Sequence, residues 1–365
     1  MTSRERVAAT LRHGEPDRVP VADAFWRSTV ERWHREGLPE DQSPQEYFDH
    51  DMFSIVPEIG PRFEREVIEE TDSYVIERTP EGRIVKNFFD YSTTPLMLDV
   101  PVKTRKDWMA FRRRLQPDIS RIRESAYGEI DWFEWYEKLR KLNKSIVLWA
   151  VIGMDRCQHF VGMERQLMLF KTDPAWAREM IMTHSALVVE TAEMMFQNGF
   201  DLDAAFVGED LGYRNGLLIS PDTYREVLFD AHKMIFDYFH ENGLPVILHS
   251  DGDVREAIPL LIEAGVDCLQ PLECKSNMDV RELKTEYGDR LALMGGIDVR
   301  AMAHPDPAII EEEIRAKFAI AKVGGGYIYH SDHSVPKNVS LERYRMIMDL
   351  VKKYGQYDAA KKRPA

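Results

Sequence analysis

The chain has 365 residues, 44% of them hydrophobic, and a formal net charge of −14. This length fits one large barrel domain or two ordinary domains, and it is enough to bury a sizeable core. The acidic charge argues against nucleic acid as a partner, because phosphates repel an acidic surface. No apolar run approaches the ~18 residues of a membrane-spanning helix, and no basic amphipathic stretch indicates binding to a membrane surface.

The N-terminal segment lacks the apolar run of a secretory signal peptide. Three cysteines are present and none forms a close pair, which fits a reducing compartment better than a disulfide framework. We therefore expect a cytoplasmic protein. Cys268 falls within a predicted strand and is expected in the core. Cys274, beside Lys275, is a weaker candidate for a reactive thiol.

Eight short apolar segments predict β-strands that are buried on both faces. Amphipathic helical segments separate the later ones, and most of these end at a glycine. In chain order, the predicted strands cover residues 18–25, 52–59, 145–152, 202–209, 245–251, 267–273, 291–298 and 326–332. The clearest predicted helices cover residues 174–200, 220–243, 254–265 and 306–325.

Strand and helix alternate at a spacing that indicates parallel pairing through right-handed crossovers. We predict an α/β fold, a (β/α)8 TIM barrel that forms one domain over residues 1–365. A doubly wound sheet is the alternative, but no glycine-rich dinucleotide-binding turn follows the first strand. Two insertions interrupt the pattern: a β-hairpin at 63–91, which contains a Pro-Glu-Gly turn, and a helical segment at 104–142.

The active site of such a barrel is built from the loops that follow the strands. In this sequence those loops are rich in ionisable side chains, which random surface loops would rarely place at successive strand ends. In strand order they are Asp23, Glu209, Asp210, His249, Asp251, Glu273, Asp298, His330, Asp332 and His333.

Two His-x-Asp pairs stand out, His249 with Asp251 and His330 with Asp332. Residues i and i+2 of an extended segment point the same way, so both members of each pair can face the barrel mouth. There they could hold a divalent metal, act as general acids and bases, or bind a polar substrate. Alternatively, Asp251 caps the helix that begins near Val254, and His249 is a satisfied core residue.

The loop at 208–221 follows the fourth predicted strand and contains three glycines, which permit close approach of the backbone to a ligand. We expect a lid or substrate loop here, with Tyr213 and Asn215 as candidate substrate-binding residues. A purely structural loop before the Ser-Pro helix start at Ser220 is an equal alternative.

Several motifs in order resemble the uroporphyrinogen-decarboxylase superfamily. They span about residues 2 to 355 and comprise RERVAATLRHGEPDRVPV, GEDLGYRNGLLISP, ILHSDGDVREAIPLLIEAGVDCLQPLE, LMGGID and YHSDHSVPKNVSLERY. The resemblance implies the barrel fold, a cytoplasmic location and a homodimer. It also implies one of two chemistries: decarboxylation of uroporphyrinogen without a cofactor, or methyl transfer to or from a corrinoid protein, often with zinc.

The decarboxylases of this superfamily carry an arginine-rich segment after the first strand, which binds the carboxylates of the substrate. The corresponding stretch here is DAFWRSTVERWHREG, which has Arg27 and Arg32 but not that motif. The many acids at the predicted mouth would also repel a polycarboxylate. The resemblance is therefore closer to the methyltransferase-like branch.

In that branch a histidine and two cysteines hold zinc, and His249 matches the histidine. Asp251 stands at the first cysteine position and Asp332 falls near the second, which favours a harder ion than zinc, or none. We predict His249, Asp251, Glu273 and Asp332 as the metal ligands.

We predict a methyltransferase that moves a methyl group between a small methylated compound and a corrinoid protein. The alternatives are a decarboxylase, in which Asp23 steadies positive charge on a protonated ring, and a non-catalytic small-molecule binder. The predicted catalytic residues are His249, Asp23, Glu209, Asp210 and His330. The predicted substrate-binding residues are Arg27, Tyr213, Asn215, Asp298 and His333.

Overall fold

The computed structural model describes residues 1–90, 94–123 and 130–357. In chain order its strands are β1 (Met52–Ile55), β2 (Glu66–Glu70), β3 (Tyr74–Arg78), β4 (Ile84–Phe88), β5 (Leu96–Asp99), β6 (Ser145–Val151), β7 (Ala204–Gly208), β8 (Gly212–Tyr213), β9 (Gly216–Leu217), β10 (Val246–His249), β11 (Cys268–Gln270), β12 (Ala292–Met294) and β13 (Tyr327–Ile328). Seven of them form a parallel sheet in the order β1-β6-β7-β10-β11-β12-β13.

Helices follow most strands of this sheet, as parallel pairing requires. They are α1 (Ser3–Leu11), α2 (Arg27–Arg35), α3 (Pro44–Tyr47), α4 (Arg105–Phe111), α5 (Trp132–Lys141), α6 (Gly153–Val161), α7 (Met163–Thr172), α8 (Pro174–Gln197), α9 (Pro221–Val227), α10 (Phe229–Glu241), α11 (Ile258–Ala264), α12 (Val280–Tyr287), α13 (Val299–Met302), α14 (Pro307–Ala321) and α15 (Leu341–Gly355). Short 3₁₀ helices lie at Arg112–Arg114, Ile119–Ile122, Arg255–Ala257 and Cys274–Ser276. Among the described residues, none of the helices combines the length and apolar character that crossing a membrane requires.

The curled parallel sheet confirms seven of the eight predicted barrel strands. The segment predicted as the first strand, 18–25, forms isolated bridges instead of a regular strand, including a parallel bridge between Val21 and Tyr329. Pro20 explains part of this difference, because a proline in the middle of the segment has no N–H for a ladder hydrogen bond. The backbone N–H of Asp51 still donates to the Val21 carbonyl, so the segment lies between β13 and β1.

The two inserted regions differ from their predicted extent. Over 63–91 the structure has β2, β3 and β4, and β5 joins them in a four-stranded antiparallel sheet larger than the predicted hairpin. The predicted turn lies between β3 and β4. Over 104–142 it has α4, α5 and two 3₁₀ helices. Residue 91 and residues 124–129 of these predicted segments lie outside the described residues, as do 358–365 of the predicted domain.

The alternation of side chains along each strand separates two hydrophobic cores. Outward-facing residues such as Leu248 pack with helix residues such as Phe236 in the larger core. Inward-facing residues such as Ile247 and Cys268 form a smaller cluster inside the curl of the sheet. Because the period is two residues, His249 follows Ile247 on the inner face. The strand pattern thereby delivers polar side chains to the interior at the carboxyl ends of the strands.

Candidate active site

The inner face of the sheet opens into a cavity of about 540 Å³ at the carboxyl ends of the strands. Its walls are rich in aromatic and methionine side chains, and a few polar groups interrupt them. The aromatic and methionine residues are Met52, Phe53, Trp132, Trp135, Trp149, Phe206 and Met294. The ionisable and amide residues are Asp23, Gln45, His249, Gln270, His330 and His333. Within the described part of the chain, no lysine or arginine lines this cavity.

Asp210, His249 and Asp251 meet beside this cavity, and of the three only His249 lines it. One potential ligand atom from each lies within 4.8 Å of those of the other two. The Nε2 atom of His249 lies 3.5 Å from Oδ1 of Asp210 and 3.9 Å from Oδ1 of Asp251. The backbone N–H of Asp251 donates to Asp210 at 3.0 Å, which ties the loops after β7 and β10 together. This set offers one nitrogen and several carboxylate oxygens to a divalent cation.

The surroundings of Asp210 and Asp251 favour the binding of a cation. Oδ1 of Asp251 is buried and accepts no hydrogen bond from the described residues. Burial is the main reason why the pKa of Asp210 is raised, and the neighbouring charges of Asp251 and Glu273 add to it. The pKa of Asp251 is lowered although burial opposes this, because His333 hydrogen-bonds to it and His249 lies nearby. A cation between the two carboxylates would relieve their mutual repulsion.

His333 and Glu273 stand beside this group, but their hydrogen bonds leave them less able to bind a metal. The backbone N–H of Ser334 donates to Nδ1 of His333 at 2.8 Å, so the proton of the ring is on Nε2. That Nε2 lies 3.3 Å from Oδ2 of Asp251, and this hydrogen bond raises the pKa of His333. Glu273 is ion-paired with Lys275 at 2.7 Å. His333 therefore holds Asp251 in place instead of competing for a metal.

A second polar group, Asp23 with His330, lies deeper in the cavity wall. Asp23 is fully buried and accepts hydrogen bonds from Oγ of Ser331 at 2.5 Å and from the hydroxyl of Tyr344 at 2.8 Å. Its pKa is raised, mainly by burial, although the nearby His330 opposes the shift. Nδ1 of His330 lies 3.6 Å from Oδ1 of Asp23. Burial lowers the pKa of His330, so its ring is neutral at physiological pH.

Glu209, predicted as catalytic, lies outside the cavity. Its side chain points to the outer face of β7, where both oxygens accept the backbone N–H of Met154 at the start of α6. His232 lies 3.3 Å from the same carboxylate, and burial raises the pKa of Glu209 well above its ordinary value. Gly153 is required here, because a Cβ atom would lie 1.9 Å from Oε2 of Glu209. Glu209 therefore anchors a helix start.

Asp332, predicted as a metal ligand, also lies apart from the group. Its two oxygens accept the backbone N–H groups of Cys274 at 3.0 Å and Val299 at 2.9 Å. Cys274 donates its thiol to the Gly296 carbonyl and lies 3.1 Å from Nζ of Lys317. Burial raises the pKa of that thiol to about 12, so it is not a thiolate at neutral pH.

The predicted substrate-binding residues other than His333 do not line the cavity. Asp298 caps α13 and forms an ion pair with Arg300. Arg27 is 80% exposed and pairs with Glu31. Tyr213 and Asn215 are exposed in the loop at 208–221, where Tyr213 pairs with Gly216 in a two-stranded ribbon. Tyr213 does line a smaller cavity of about 280 Å³ beside Asp210.

Sequence reasoning missed Gln270, Trp149 and Asp155. Gln270 and Trp149 lie on the inner face of their strands, and the alternation along β11 and β6 could have placed them there. Asp155 follows the start of α6 and lines the smaller cavity with Asp210. Burial, followed by the charges of Asp210 and Glu209, raises the pKa of Asp155 to about 7.

The family model described as uroporphyrinogen decarboxylase (URO-D) matches residues 157–354, more than half of the chain. The cavity lies at the carboxyl ends of parallel strands, which is where barrel enzymes have their active sites. This chain belongs to the uroporphyrinogen decarboxylase family.

Curated relatives fall into two groups. A methylated-thiol--coenzyme M methyltransferase from Methanosarcina mazei is 27% identical over 203 residues, covering 50% of this chain and 52% of the relative. A uroporphyrinogen decarboxylase from Hamiltonella defensa is 28% identical over 149 residues, covering 40% of each. The chain thus spans about half or less of the length of the curated relatives it matches.

The fold has a solved counterpart. The structure of a methyltransferase from Methanosarcina mazei superposes with a TM-score of 0.65 at 14% identity, covering 97% of this chain and 99% of that chain. At this identity the likeness shows the fold alone. The family model confirms the predicted family, and the methyltransferase among the curated relatives supports its methyltransferase-like branch.

Proposed function

We propose that this protein is a methyltransferase that binds a divalent cation through Asp210, His249 and Asp251. The methyl group passes between a small, largely apolar methylated compound in the 540 Å³ cavity and a corrinoid held by a partner protein. The observation that carries the proposal is the convergence of three ligand atoms within 4.8 Å beside an aromatic cavity that His249 lines. The corrinoid partner comes from the resemblance to the methyltransferase-like branch.

The side chains present suit a divalent cation, although they do not include the thiolate ligands of the related zinc sites. The donors are an imidazole nitrogen and carboxylate oxygens, which suit zinc, manganese or another borderline-to-hard divalent ion. The buried, unpaired Oδ1 of Asp251 supplies an acceptor for it. Compared with the predicted ligand set, Asp210 takes the place of Asp332, whose oxygens are used by backbone N–H groups.

When bound, the cation would act as a Lewis acid on the heteroatom that the methyl group leaves or joins. The chain's own residues do the rest. Trp149 packs edge-on against His249, with ring centroids 5.8 Å apart, and restricts water at the ligand. His333 donates to Asp251 and fixes its carboxylate. Asp155, with a pKa of about 7, can exchange a proton beside Asp210 near neutral pH.

The decarboxylase is the second candidate, favoured by one observation: the buried carboxyl of Asp23 lines the cavity, where it could steady a protonated ring. The absence of lysine and arginine among the described lining residues opposes it, because a polycarboxylate would find no cationic partner there.

We also propose that segment 18–25 takes the place of the eighth strand and closes the curled sheet into a barrel. The bridge from Val21 to Tyr329 and the hydrogen bond from Asp51 to Val21 support this closure. Slow hydrogen exchange at the Asp51 and Tyr329 amides is the expected result, and rapid exchange at both would contradict it.

The function is tested by elemental analysis of protein purified from metal-supplemented cells, followed by a transfer assay. We expect one divalent ion per chain in the wild type and in the control His304→Ala, which changes an exposed histidine that does not line the cavity. We expect the ion to be lost in His249→Ala. Methyl transfer from small thioethers or ethers to a reduced corrinoid, followed by its visible spectrum, should depend on the ion.

Metal-free wild-type protein would contradict the cation site. Release of carbon dioxide from uroporphyrinogen, without methyl transfer from any compound in the panel, would favour the decarboxylase instead.

A further inference from the structure

A line of hydrogen bonds runs across the floor of the cavity from Ser331 through His330 and Gln270 to His249. The ends of three strands contribute to it: those of the neighbouring strands β10 and β11, and that of β13, which β12 separates from β11. In each of these hydrogen bonds, one partner can only donate or only accept, whereas the other partner is a histidine nitrogen that can do either. The direction of the whole line can therefore be worked out from one end.

The line starts at the carbonyl of Ser331, which can only accept a hydrogen bond. Nδ1 of His330 lies 2.6 Å from this oxygen, so Nδ1 carries a proton. His330 is buried, and burial lowers its pKa, which favours the neutral ring. Its Nε2 atom is therefore left without a proton and must accept.

The next link is the side-chain amide of Gln270, which is buried on the inner face of β11. Nε2 of Gln270 lies 3.3 Å from Nε2 of His330, and an amide nitrogen can only donate. The other possible placement of the amide would set its oxygen against an unprotonated nitrogen. The amide oxygen of Gln270 is thereby directed to His249.

At the far end, Nδ1 of His249 lies 2.6 Å from Oε1 of Gln270. Since that oxygen only accepts, Nδ1 of His249 carries the proton. In the neutral ring the lone pair is then on Nε2, which faces Asp210 and Asp251. A histidine that binds metal through one nitrogen commonly donates its other N–H to an oxygen in this way.

We infer that Gln270 is a positioning residue, which together with His330 and the Ser331 carbonyl fixes the tautomer of His249 and presents its bare Nε2 to a divalent cation. The inference rests on the proposed function for the identity of the bound ligand, a divalent cation. The tautomer itself is a property of the metal-free protein and can be measured separately.

The first measurement is nitrogen NMR of metal-free protein with ¹⁵N-labelled histidine, at about pH 8, where histidines of ordinary pKa are neutral. His249→Gln identifies the signal. We expect the wild type to have its proton on Nδ1 of His249, and Gln270→Leu to have a mixture of tautomers. Gln270→Glu keeps an oxygen acceptor for Nδ1–H and should keep the wild-type tautomer.

The second measurement is calorimetric titration of the same proteins with Zn²⁺. We expect Gln270→Leu to bind ~10–100-fold more weakly than the wild type, as for other losses of a ligand's supporting hydrogen bond. Gln270→Glu should restore most of that affinity. Thr10→Val removes another buried hydrogen bond, to the Arg6 carbonyl, and should bind like the wild type.

A wild-type His249 with its proton on Nε2 would overturn the inference. So would a Gln270→Leu variant that keeps both the wild-type tautomer and the wild-type affinity. If the wild type has the Nδ1 proton but binds no Zn²⁺, the proposed function fails while the role of Gln270 in setting the tautomer stands.

Discussion

Both rims of the curled sheet carry aspartates, but the partners of these carboxylates differ between the two rims. At the amino ends of the strands, Asp51 directly precedes β1 and Asp203 directly precedes β7. Asp51 accepts hydrogen bonds from Arg6, Arg18 and the backbone N–H of Val21. Each of these carboxylates is bound by arginine and by a neighbouring backbone, as Asp203 is by Arg4, Arg140 and Ile146.

At the carboxyl ends, the ion pairs of Asp210 and Asp251 in the described part of the chain are with histidines. A histidine compensates a carboxylate less than an arginine does, because the guanidinium group is always charged and can bind both carboxylate oxygens. The comparison separates two uses of the same side chain. At the amino rim, Asp51 and Asp203 stabilise the fold. At the carboxyl rim, the raised pKa of Asp210 indicates that its charge is under-compensated, and a bound cation would supply the missing compensation.

The largest effect is expected at the amino rim, where Asp51→Asn leaves Arg6 and Arg18 facing a neutral amide. Removing one member of a buried ion-pair network destabilises a protein by about 3–5 kcal/mol. The control is Asp49→Asn, two residues away, whose exposed carboxylate pairs with Lys144. Urea unfolding measures both, and we expect a change within about 0.5 kcal/mol for the control.

The pH dependence of this loss follows from the pKa of Asp51. Burial would raise that pKa, but hydrogen bonds and charges from Arg18, Val21 and Arg6 outweigh it and the pKa is lowered. A lowered pKa contributes stability above the unfolded value of about 3.9, and this is lost as pH falls through the folded value. The gap between wild type and Asp51→Asn should close in acid. A constant gap at every pH would contradict this account.

The next effect is on cation binding at the carboxyl rim. Asp251→Asn removes the negative charge and one of the two oxygens, so the remaining oxygen can serve either the cation or His333 but not both. We therefore expect Zn²⁺ affinity to fall by ~100-fold, on the order of 3 kcal/mol. Asp253→Asn is the matched control, since Asp253 lies in the same loop but pairs with Arg255. Calorimetry compares the two. Equal losses in both variants would show that the loop, and not the ligand, sets the affinity.

Cation addition should also raise the stability of the wild type, because a ligand that binds only the folded state stabilises it. At a free concentration 100 times the dissociation constant, the gain is about 2.7 kcal/mol. Thermal unfolding with and without Zn²⁺ measures it, and a chelator should reverse it. Asp251→Asn at the same concentration should gain much less, and an equal gain would place the ion elsewhere.

The sequence predicted most of this architecture, because apolar runs and helix caps are local signals. Segment 18–25 was less predictable, since Pro20 weakens the ladder within an otherwise strand-like run. Glu209 shows a signal that was present but not used. It follows Ala205 and Val207 of the outer core on the alternation of β7, so the period of two already placed it away from the cavity.

The position of the Asp332 side chain could not be predicted from the local sequence pattern. Its position two residues after His330 predicts an inward side chain, but backbone N–H groups of two distant loops, at Cys274 and Val299, bind it instead. Trp132 enters the cavity from α5, in an insertion whose packing against the strands no local pattern encodes. Such contacts depend on tertiary geometry, which is why the predicted ligand set contained Asp332 and omitted Asp210.

The smallest effect tests the comparison of rims most directly. Asp210→Asn in metal-free protein removes one negative charge from beside Asp251 and Glu273, while the amide oxygen can still accept the backbone N–H of Asp251. Burial and those charges raise the pKa of Asp210, so its ionised form is disfavoured in the fold. We expect the free energy of unfolding to rise at neutral pH, by less than about 1 kcal/mol because the side chain is partly exposed.

Saturating Zn²⁺ should make the wild type more stable than Asp210→Asn, because binding raises the free energy of unfolding of the wild type more than that of the variant. Urea unfolding in chelator and in Zn²⁺ measures both orders with the same two proteins. Loss of stability in the metal-free variant would mean that Asp210 stabilises the fold, as the amino-rim carboxylates do. The carboxyl rim would then differ from the amino rim in partners only, and not in electrostatic free energy.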